Sequence, residues 1–435
     1  MTAMKIASLL TAATLMAATP ALAQSWVADT AVTGADYVND VFYHLPTGVK
    51  TASNNTNWDL AFQVTPYPTG KMSVLANHVQ DTVNVYSLHL PASTYFESLS
   101  AADTVGLTGD AHKLYNNPET WNKGAFNRNN NPSNPFDFSW GMYEMATHKV
   151  VGDSLYLITV GNAAYKLWLQ EYNSQPAADP TWTFRIASWD NSLDTTIVLH
   201  TNEYGAHNFA YFSAKDVAFT DREPNHTWDL LFTRYIDTAS MPGFGTMMYP
   251  VAGVLINNGV EVAVVTDTDP DVATDAGATY TTRTNAIGYN WKHNAMGAGY
   301  VIDTNTSFFV KSLDSTYWQV VFTGFTGKST GTYTFKKREL AATGITTANQ
   351  QTIQLAIAPQ PANDRLQIML DAPKNAPAQL TVVDLNGRVV LQRQLSMQQG
   401  MNAFSIPTSQ LPNGMYLIRL SGKEFQHVQK LLVQH

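Results

Sequence analysis

Apolar and polar residues alternate along most of this chain in short runs separated by turn residues. In 155–172, LYLITVGNAAYKLWLQEY, Leu155, Leu157 and Thr159 fall on one face. Gly161-Asn162 marks a turn, and Lys166, Trp168 and Gln170 continue the two-residue period. The run 308–325, FFVKSLDSTYWQVVFTGF, behaves in the same way around Asp314-Ser315. Long helical periodicity is absent. The pattern predicts an all-β protein of antiparallel strands, arranged as sandwiches or half-open barrels. One stretch breaks it. Residues 93–139 are rich in Asn and Pro and predict a long loop with one short helix, the kind of insertion that often carries function on a β scaffold.

The pattern repeats. Trp58-Asp59-Leu60-Ala61-Phe62 recurs as Trp228-Asp229-Leu230-Leu231-Phe232, each after a polar turn. An aromatic precedes each Trp at the same spacing, Phe42 in VFYHL and Phe212 in AYFSA. Downstream, Trp140 in SWGMYEM answers Trp291 in NWKHNAM. The two strand pairs follow, and each copy closes on a like strand, 181–184 TWTF and 332–335 TYTF. Landmarks kept in one order predict two tandem antiparallel β domains, 24–200 and 201–340. Residues 341–354 are polar and read as a linker.

From 355 to 435 the alternation returns as LQIML, LTVVDL, RVVLQRQL, AFSI, MYLIRL and VQKLLV, which predicts a small Ig-like β-sandwich. Four ordered signatures sit in this tail. They are Pro359-Gln360-Pro361-Ala362 with Asp364, the Asp384-x-x-Gly387-Arg388 turn, the Gly414-x-Tyr416 exit, and Lys430 near the end. Together they resemble the C-terminal sorting domain of the type IX secretion system of Bacteroidetes. The resemblance implies export across the outer membrane, the secretion machinery as a partner, and a secreted or surface-attached product.

Residues 1–23 agree with export. Lys5 precedes an apolar stretch, Ile6 to Met16, and Ala21-Leu22-Ala23 precedes Gln24, which reads as a cleavable signal peptide. No later run approaches the roughly 18 apolar residues of a spanning helix, so no membrane span is expected.

Composition narrows the chemistry. Cysteine is absent, which removes disulfides, thiol catalysis, Cys-ligated zinc and iron–sulfur clusters. The formal charge is −8 with no basic stripe, so nucleic acid is not an expected partner. Ten Trp and twenty Tyr suit β-rich extracellular domains. No nucleophile elbow, HExxH or P-loop appears, and the carboxylates are scattered, so an enzyme is not expected. Asp267-Thr-Asp269-Pro-Asp271 lacks the Gly and closing Glu of a calcium loop and reads as an acidic turn.

The duplicated region carries a resemblance of its own. WDLLF followed by RY, a Trp five residues before a Met, a Tyr- or Phe-led strand pair and a final T-[WY]-T-F strand resemble the HmuY-like haem-binding proteins. That resemblance implies a haemophore-like role in iron and haem acquisition, non-covalent haem, an outer-membrane haem receptor as partner, and axial His or Met donors. Residue by residue it nominates Met145 after Trp140, with Tyr143 between them, and Met296 after Trp291. The second ligand position falls beside His112 in the first copy, whereas the second copy has no His or Met there. A Met/His pair is a known haem ligand set. Met145 also reads as a packing side chain and His112 as an ordinary exposed histidine. His78, His89 and His148 are alternative donors, and Met241, Met247 and Met248 are candidates for a pocket in the second copy. A non-haem adhesion or interaction protein on the same scaffold is the competing expectation.

Overall fold

The structure, a computed structural model, describes residues 25–65, 70–79, 83–225, 227–241, 245–295, 299–340, 355–372, 374–384, 388–422 and 426–435. The signal-peptide segment, Met296 and Gly387 lie outside the described residues. Among the described residues the regular structure is almost entirely β-strand. The first repeat gives β1 (Val27–Val32), β2 (Asn39–Tyr43), β3 (Lys50–Asn54), β4 (Leu60–Gln63), β5 (Val74–Ala76), β6 (Asn84–Pro91), β7 (Met142–Glu144), β8 (Lys149–Val151), β9 (Ser154–Val160), β10 (Ala163–Asn173) and β11 (Thr181–Ser188). The second gives β12 (Asp194–His200), β13 (Phe209–Ser213), β14 (Ala218–Thr220), β15 (Leu230–Met241), β16 (Gly245–Ile256), β17 (Glu261–Val265), β18 (Lys292–Ala295), β19 (Gly299–Ile302), β20 (Ser307–Lys311), β21 (Tyr317–Phe325) and β22 (Thr332–Leu340). This second repeat begins before residue 201, because β12 pairs with β11 as β1 pairs with β22.

These strands do not form two domains in chain order. One sandwich packs the sheet β14-β13-β4-β5 on a larger sheet that runs β12-β11-β10 and continues to β9-β6 and to β8-β7. The other packs β16-β15-β2-β3 on β1-β22-β21-β20-β17. The first three strands of each repeat are therefore exchanged. β1, β2 and β3 complete the second sandwich, and β12, β13 and β14 complete the first. A boundary at 200/201 does not separate the sheets. The repeats identify equivalent strands, but equivalent strands pair with either copy at the same register, and the sequence pattern contains no signal for which copy is chosen.

The landmark residues occupy matching places in both sandwiches. Asp59 donates its backbone N–H to Phe212 and Asp229 donates to Tyr43, each at 2.8 Å. Phe62 stacks on Phe184 at 4.5 Å, and Phe232 stacks on Phe335 at 5.6 Å. Trp140 and Trp291 are both buried. The Trp-Asp dipeptide marks where a strand of one repeat receives the exchanged strand of the other.

The alternation places Tyr156, Ile158, Leu167 and Leu169 in the core of the first sandwich. Leu155, Leu157 and Trp168 face the other way, yet they are covered too. The cover is the start of the long insertion, where the short helix α1 (Ala92–Tyr95) leads into Phe96 and Leu99. Further along the insertion, Phe126 and Phe138 close the end of the main core. Trp121 lies against the apolar clusters of both sandwiches and donates its indole N–H to the Ile256 carbonyl at 2.8 Å. The insertion is thus a packing element for both layers as well as a loop.

The tail forms a third sandwich from β23 (Leu355–Ala358), β24 (Arg365–Ala372), β25 (Ala376–Asp384), β26 (Val389–Met397), β27 (Gly400–Pro407), β28 (Gly414–Ser421) and β29 (Gln426–Val433). The sheet β23-β24-β27 packs on β26-β25-β28-β29 around Leu366, Ile368, Leu380, Ile418 and Leu431. Among the described residues no helix is long and apolar enough to cross a membrane.

Candidate ligand-binding site

The residues nominated in the first copy occupy different surroundings. Trp140 is fully buried, with its indole N–H donated to the Met72 carbonyl at 3.0 Å and its ring against Trp182. Tyr143 is buried, stacks on Phe136, and its hydroxyl pairs with His148 Nδ1 at 2.9 Å. Burial pushes its phenol up to about 12. Met145 sits in the β7–β8 turn and is 52% exposed. His112 is exposed at the end of a 3-10 turn, Asp110–His112. Met145 and His112 line none of the four main cavities.

The alternative histidines divide in the same way. His78 is engaged on both ring nitrogens, with Nδ1 on the Val83 carbonyl at 2.8 Å and Nε2 accepting the Asn116 N–H at 3.3 Å. Burial first of all pulls its imidazole down to about 4, so the ring is neutral and fully used. His148 is held by Tyr143. His89 lines a small polar recess with Asp153 and Ser154.

A cleft of about 1080 Å³ lies on the second sandwich. Its position follows from an asymmetry between the repeats. β15 and β16 pair over their whole length, from Leu230↔Ile256 to Met241↔Gly245, but only Leu230 to Phe232 pair with β2. The rest of the hairpin runs past the sheet as a ribbon, where the first copy has only the short β4 and β5. Thr238, Ser240 and Tyr249 from this ribbon form one wall. The small β18–β19 hairpin forms the other, with Lys292, His293, Asn294 and Tyr300. Tyr37 and the turn at Gly327–Ser329 close the floor. Gly327 has φ +66°, and a Cβ there would lie 2.8 Å from the Tyr300 ring, so only glycine lets that ring settle at its observed place.

Two bonds tie the walls together. Tyr289 donates its hydroxyl to the Thr238 carbonyl at 2.8 Å, and Lys292 donates its amine to the Ala252 carbonyl at 2.6 Å. The Lys292 amine also lies 4.2 Å from the Trp291 ring centroid and 4.6 Å from that of Phe325. Burial among these rings pulls its pKa down to about 7. The cleft therefore offers half-exposed faces at Tyr249, Tyr289 and Tyr300, an imidazole at His293, and cations at Arg234 and Lys328, while the buried Lys292 amine is spent on the wall. Aromatic walls with a few convergent polar groups are what small-ligand sites need. Met247, Met248 and Tyr249 expose apolar surface along the same ribbon.

The sequence flagged this region only through WKHNAM and MMYP. It did not single out Tyr37, Tyr289 or Tyr300, because tyrosines scattered over distant strands carry no spacing signal. A second cavity, about 100 Å³, lies at the seam between the sandwiches, near Trp58, Trp121, Tyr211 and the buried Arg222–Asp40 pair at 2.9 Å. It has room for a few waters.

In the tail, Gln360 donates to the Lys430 carbonyl at 2.8 Å and accepts the Leu432 N–H at 3.0 Å, which staples the Pro-Gln-Pro segment to β29. Asp384 closes its turn through the Arg388 N–H at 2.9 Å and the Arg388 guanidinium at 3.2 Å. Tyr416 donates to the Pro412 carbonyl at 2.7 Å. Pro359, Pro361, Asp364 and Lys430 are exposed.

No curated protein matches the chain. No family model matches the duplicated region. Residues 356–434 match the model of the secretion system C-terminal sorting domain, so the third sandwich is a type IX sorting domain, a partner of that secretion machinery, and the chain is a secreted or surface-attached protein.

Proposed function

We propose that the protein is an exported binding protein that captures its ligand in the cleft between the β15–β16 ribbon and the β18–β19 hairpin, and that it works by binding, without catalysis. The observation that carries this reading is the cleft itself, about 1080 Å³, with tyrosine faces on several sides and cations at its edge. Haem is the ligand to test first. A porphyrin needs aromatic walls, a nitrogen, sulfur or phenolate donor for iron, and cations for its propionates. His293, the tyrosines Tyr249, Tyr289 and Tyr300, and the cations Lys328 and Arg234 supply those types. This moves the haem reading from Met145 and His112 to the second sandwich.

A second reading is favoured by the hydroxyl-bearing rim, Thr238, Ser240, Thr326 and Ser329. Such a rim over tyrosine faces also suits a glycan, and the protein is then an adhesin. A haem titration followed by visible absorbance decides between them. The cleft reading expects one haem per chain, with the Soret band altered by His293→Ala and unaffected by Met145→Ala or His112→Ala. Loss of binding in Met145→Ala and His112→Ala returns the site to the first copy. No saturable change in the wild type removes haem and leaves the glycan reading for array binding.

A further inference from the structure

The sorting domain has one face that its own core does not use. Along β24, Leu366, Ile368, Leu370 and Ala372 point into the sorting-domain core, so Gln367, Met369 and Asp371 point out. Along β27, Ile406 points in, and Met401 and Ala403 point out. The outward methionines are not in water, and Gln367, Asp371 and Ala403 are half-buried. Met369 is 0% exposed and Met401 3%, and both belong to the core of the first sandwich, with Tyr143, Val150 and Tyr172. The backbone approaches closely at Gly400, where a Cβ would lie 2.8 Å from the Gln175 amide nitrogen and 3.4 Å from Ala177. A polar recess runs along the same junction between the 122–138 loop and β23, lined by Lys71, Asn134, Asp137 and Gln429.

We infer that the sorting domain is a releasable latch on the first sandwich, docked through the outer face of β24 and β27, with the Asp371 carboxyl as its release group.

The two methionines give the contact its apolar area, and flexible thioethers adapt to a surface that must also separate. Asp371 sits between them and works against docking when charged. It lies opposite Met401 in the strand register. The groups that face it are the phenols of Tyr143 and Tyr172, whose pKa values are pushed up by burial and then by the Asp371 charge, so both stay neutral. Behind Tyr143 stands His148. The nearby cation Lys149 is taken by Glu171 at 2.9 Å, and Arg365 on the same face of β24 donates to Ser405 at 3.1 Å. Burial without a compensating cation pushes the Asp371 carboxyl up to about 7.

The sign follows directly. The docked form holds the proton up to about pH 7, whereas a solvated Asp releases it near its ordinary value. Docking is strongest in acid, weakens as pH rises between these two values, and is weakest once Asp371 is ionised in both forms. Docking leaves Pro359, Pro361, Asp364 and Lys430 exposed, so the latched chain still presents its sorting residues.

The absence of cysteine makes the test clean, because two introduced cysteines are the only labelling sites. Val198→Cys on the first sandwich and Met415→Cys on the sorting domain are both on exposed positions. Energy transfer between dyes on the full chain is read at about pH 5.5 and about pH 8. The docked-to-free ratio is expected to fall by at least about tenfold with the rise in pH. Asp371→Asn is expected to stay docked at both values, and Met369→Asp to stay free at both. Circular dichroism of each variant separates undocking from unfolding. A wild-type ratio that ignores pH, an Asp371→Asn chain that titrates like wild type, or a folded Met369→Asp chain that stays docked would each overturn the latch.

Discussion

Asp229 accepts the backbone N–H of Leu45 at 2.8 Å, across 184 residues of chain. Its other oxygen accepts the Leu313 N–H at 3.0 Å. Asp59 does the equivalent for the other repeat, accepting the Ala214 N–H at 2.6 Å. Each aspartate thus fastens the exchanged strands of the opposite copy. Burial raises the pKa of both carboxyls, and the amide bonds pull them back down. Removing Asp229 leaves one buried and one half-buried amide without acceptors. Asp229→Ala is expected to cost about 3 kcal/mol or more, measured by urea unfolding.

The same exchange predicts that the repeats do not fold apart. Fragment 25–200 keeps β1, β2 and β3 but loses their partners β22 and β15, and its own core lacks β13. Each fragment alone is expected to show little native circular dichroism. Co-expressed with 201–340, it is expected to recover a single cooperative transition. A stable, folded 25–200 fragment would contradict the exchange.

Trp121 is the clasp of the insertion. Its ring reaches Phe209 at 5.8 Å in one sandwich, and its N–H bonds Ile256 in the other. Trp121→Ala removes a large, partly buried ring and is expected to cost about 2 kcal/mol. Trp121→Phe keeps the ring area and is expected to recover most of that loss. Paired denaturation curves check both.

His78 gives the fold an acid-sensitive limb. Its imidazole titrates near 6.5 when unfolded and at about 4 in the fold. The stability tied to this neutral ring is complete above the unfolded value and is lost as pH falls from about 6.5 towards 4. Glu223 runs the other way. Burial pushes it up to about 7 against four N–H bonds from Asn208, Phe209 and Trp228, so its contribution favours low pH. The His78 term is therefore read as a difference. Between about pH 7.5 and 5, wild type is expected to lose about 2 kcal/mol more than His78→Gln.

Export depends on the tail. A chain ending at 354 keeps its signal-peptide segment and loses the sorting domain. It is expected to accumulate in the periplasm, with none at the surface or in the medium by fractionation. Tyr416→Ala removes a nearly buried ring and its bond to Pro412, and is expected to reduce export by destabilising the sorting sandwich.

The sequence by itself determined the class of fold and the destination. Two-residue alternation is a local property of a strand with one buried face, so the strands of 155–172, 308–325 and the tail were legible one by one. The ordered Pro, Asp, Gly and Tyr signatures of the sorting domain are local as well, and they identified it. Only the tertiary structure decided that β1, β2 and β3 complete the other copy's sandwich, because like repeats offer like partners and pattern cannot choose between them. Tertiary structure also decided the cleft. Tyr37, Tyr249, Tyr289 and Tyr300 converge from separate strands, while the Trp140 that spacing nominated is a core residue bonded to Met72. Finally, it showed that Met369 and Met401, outward by alternation, are buried under another domain, a fact that no single strand's pattern contains.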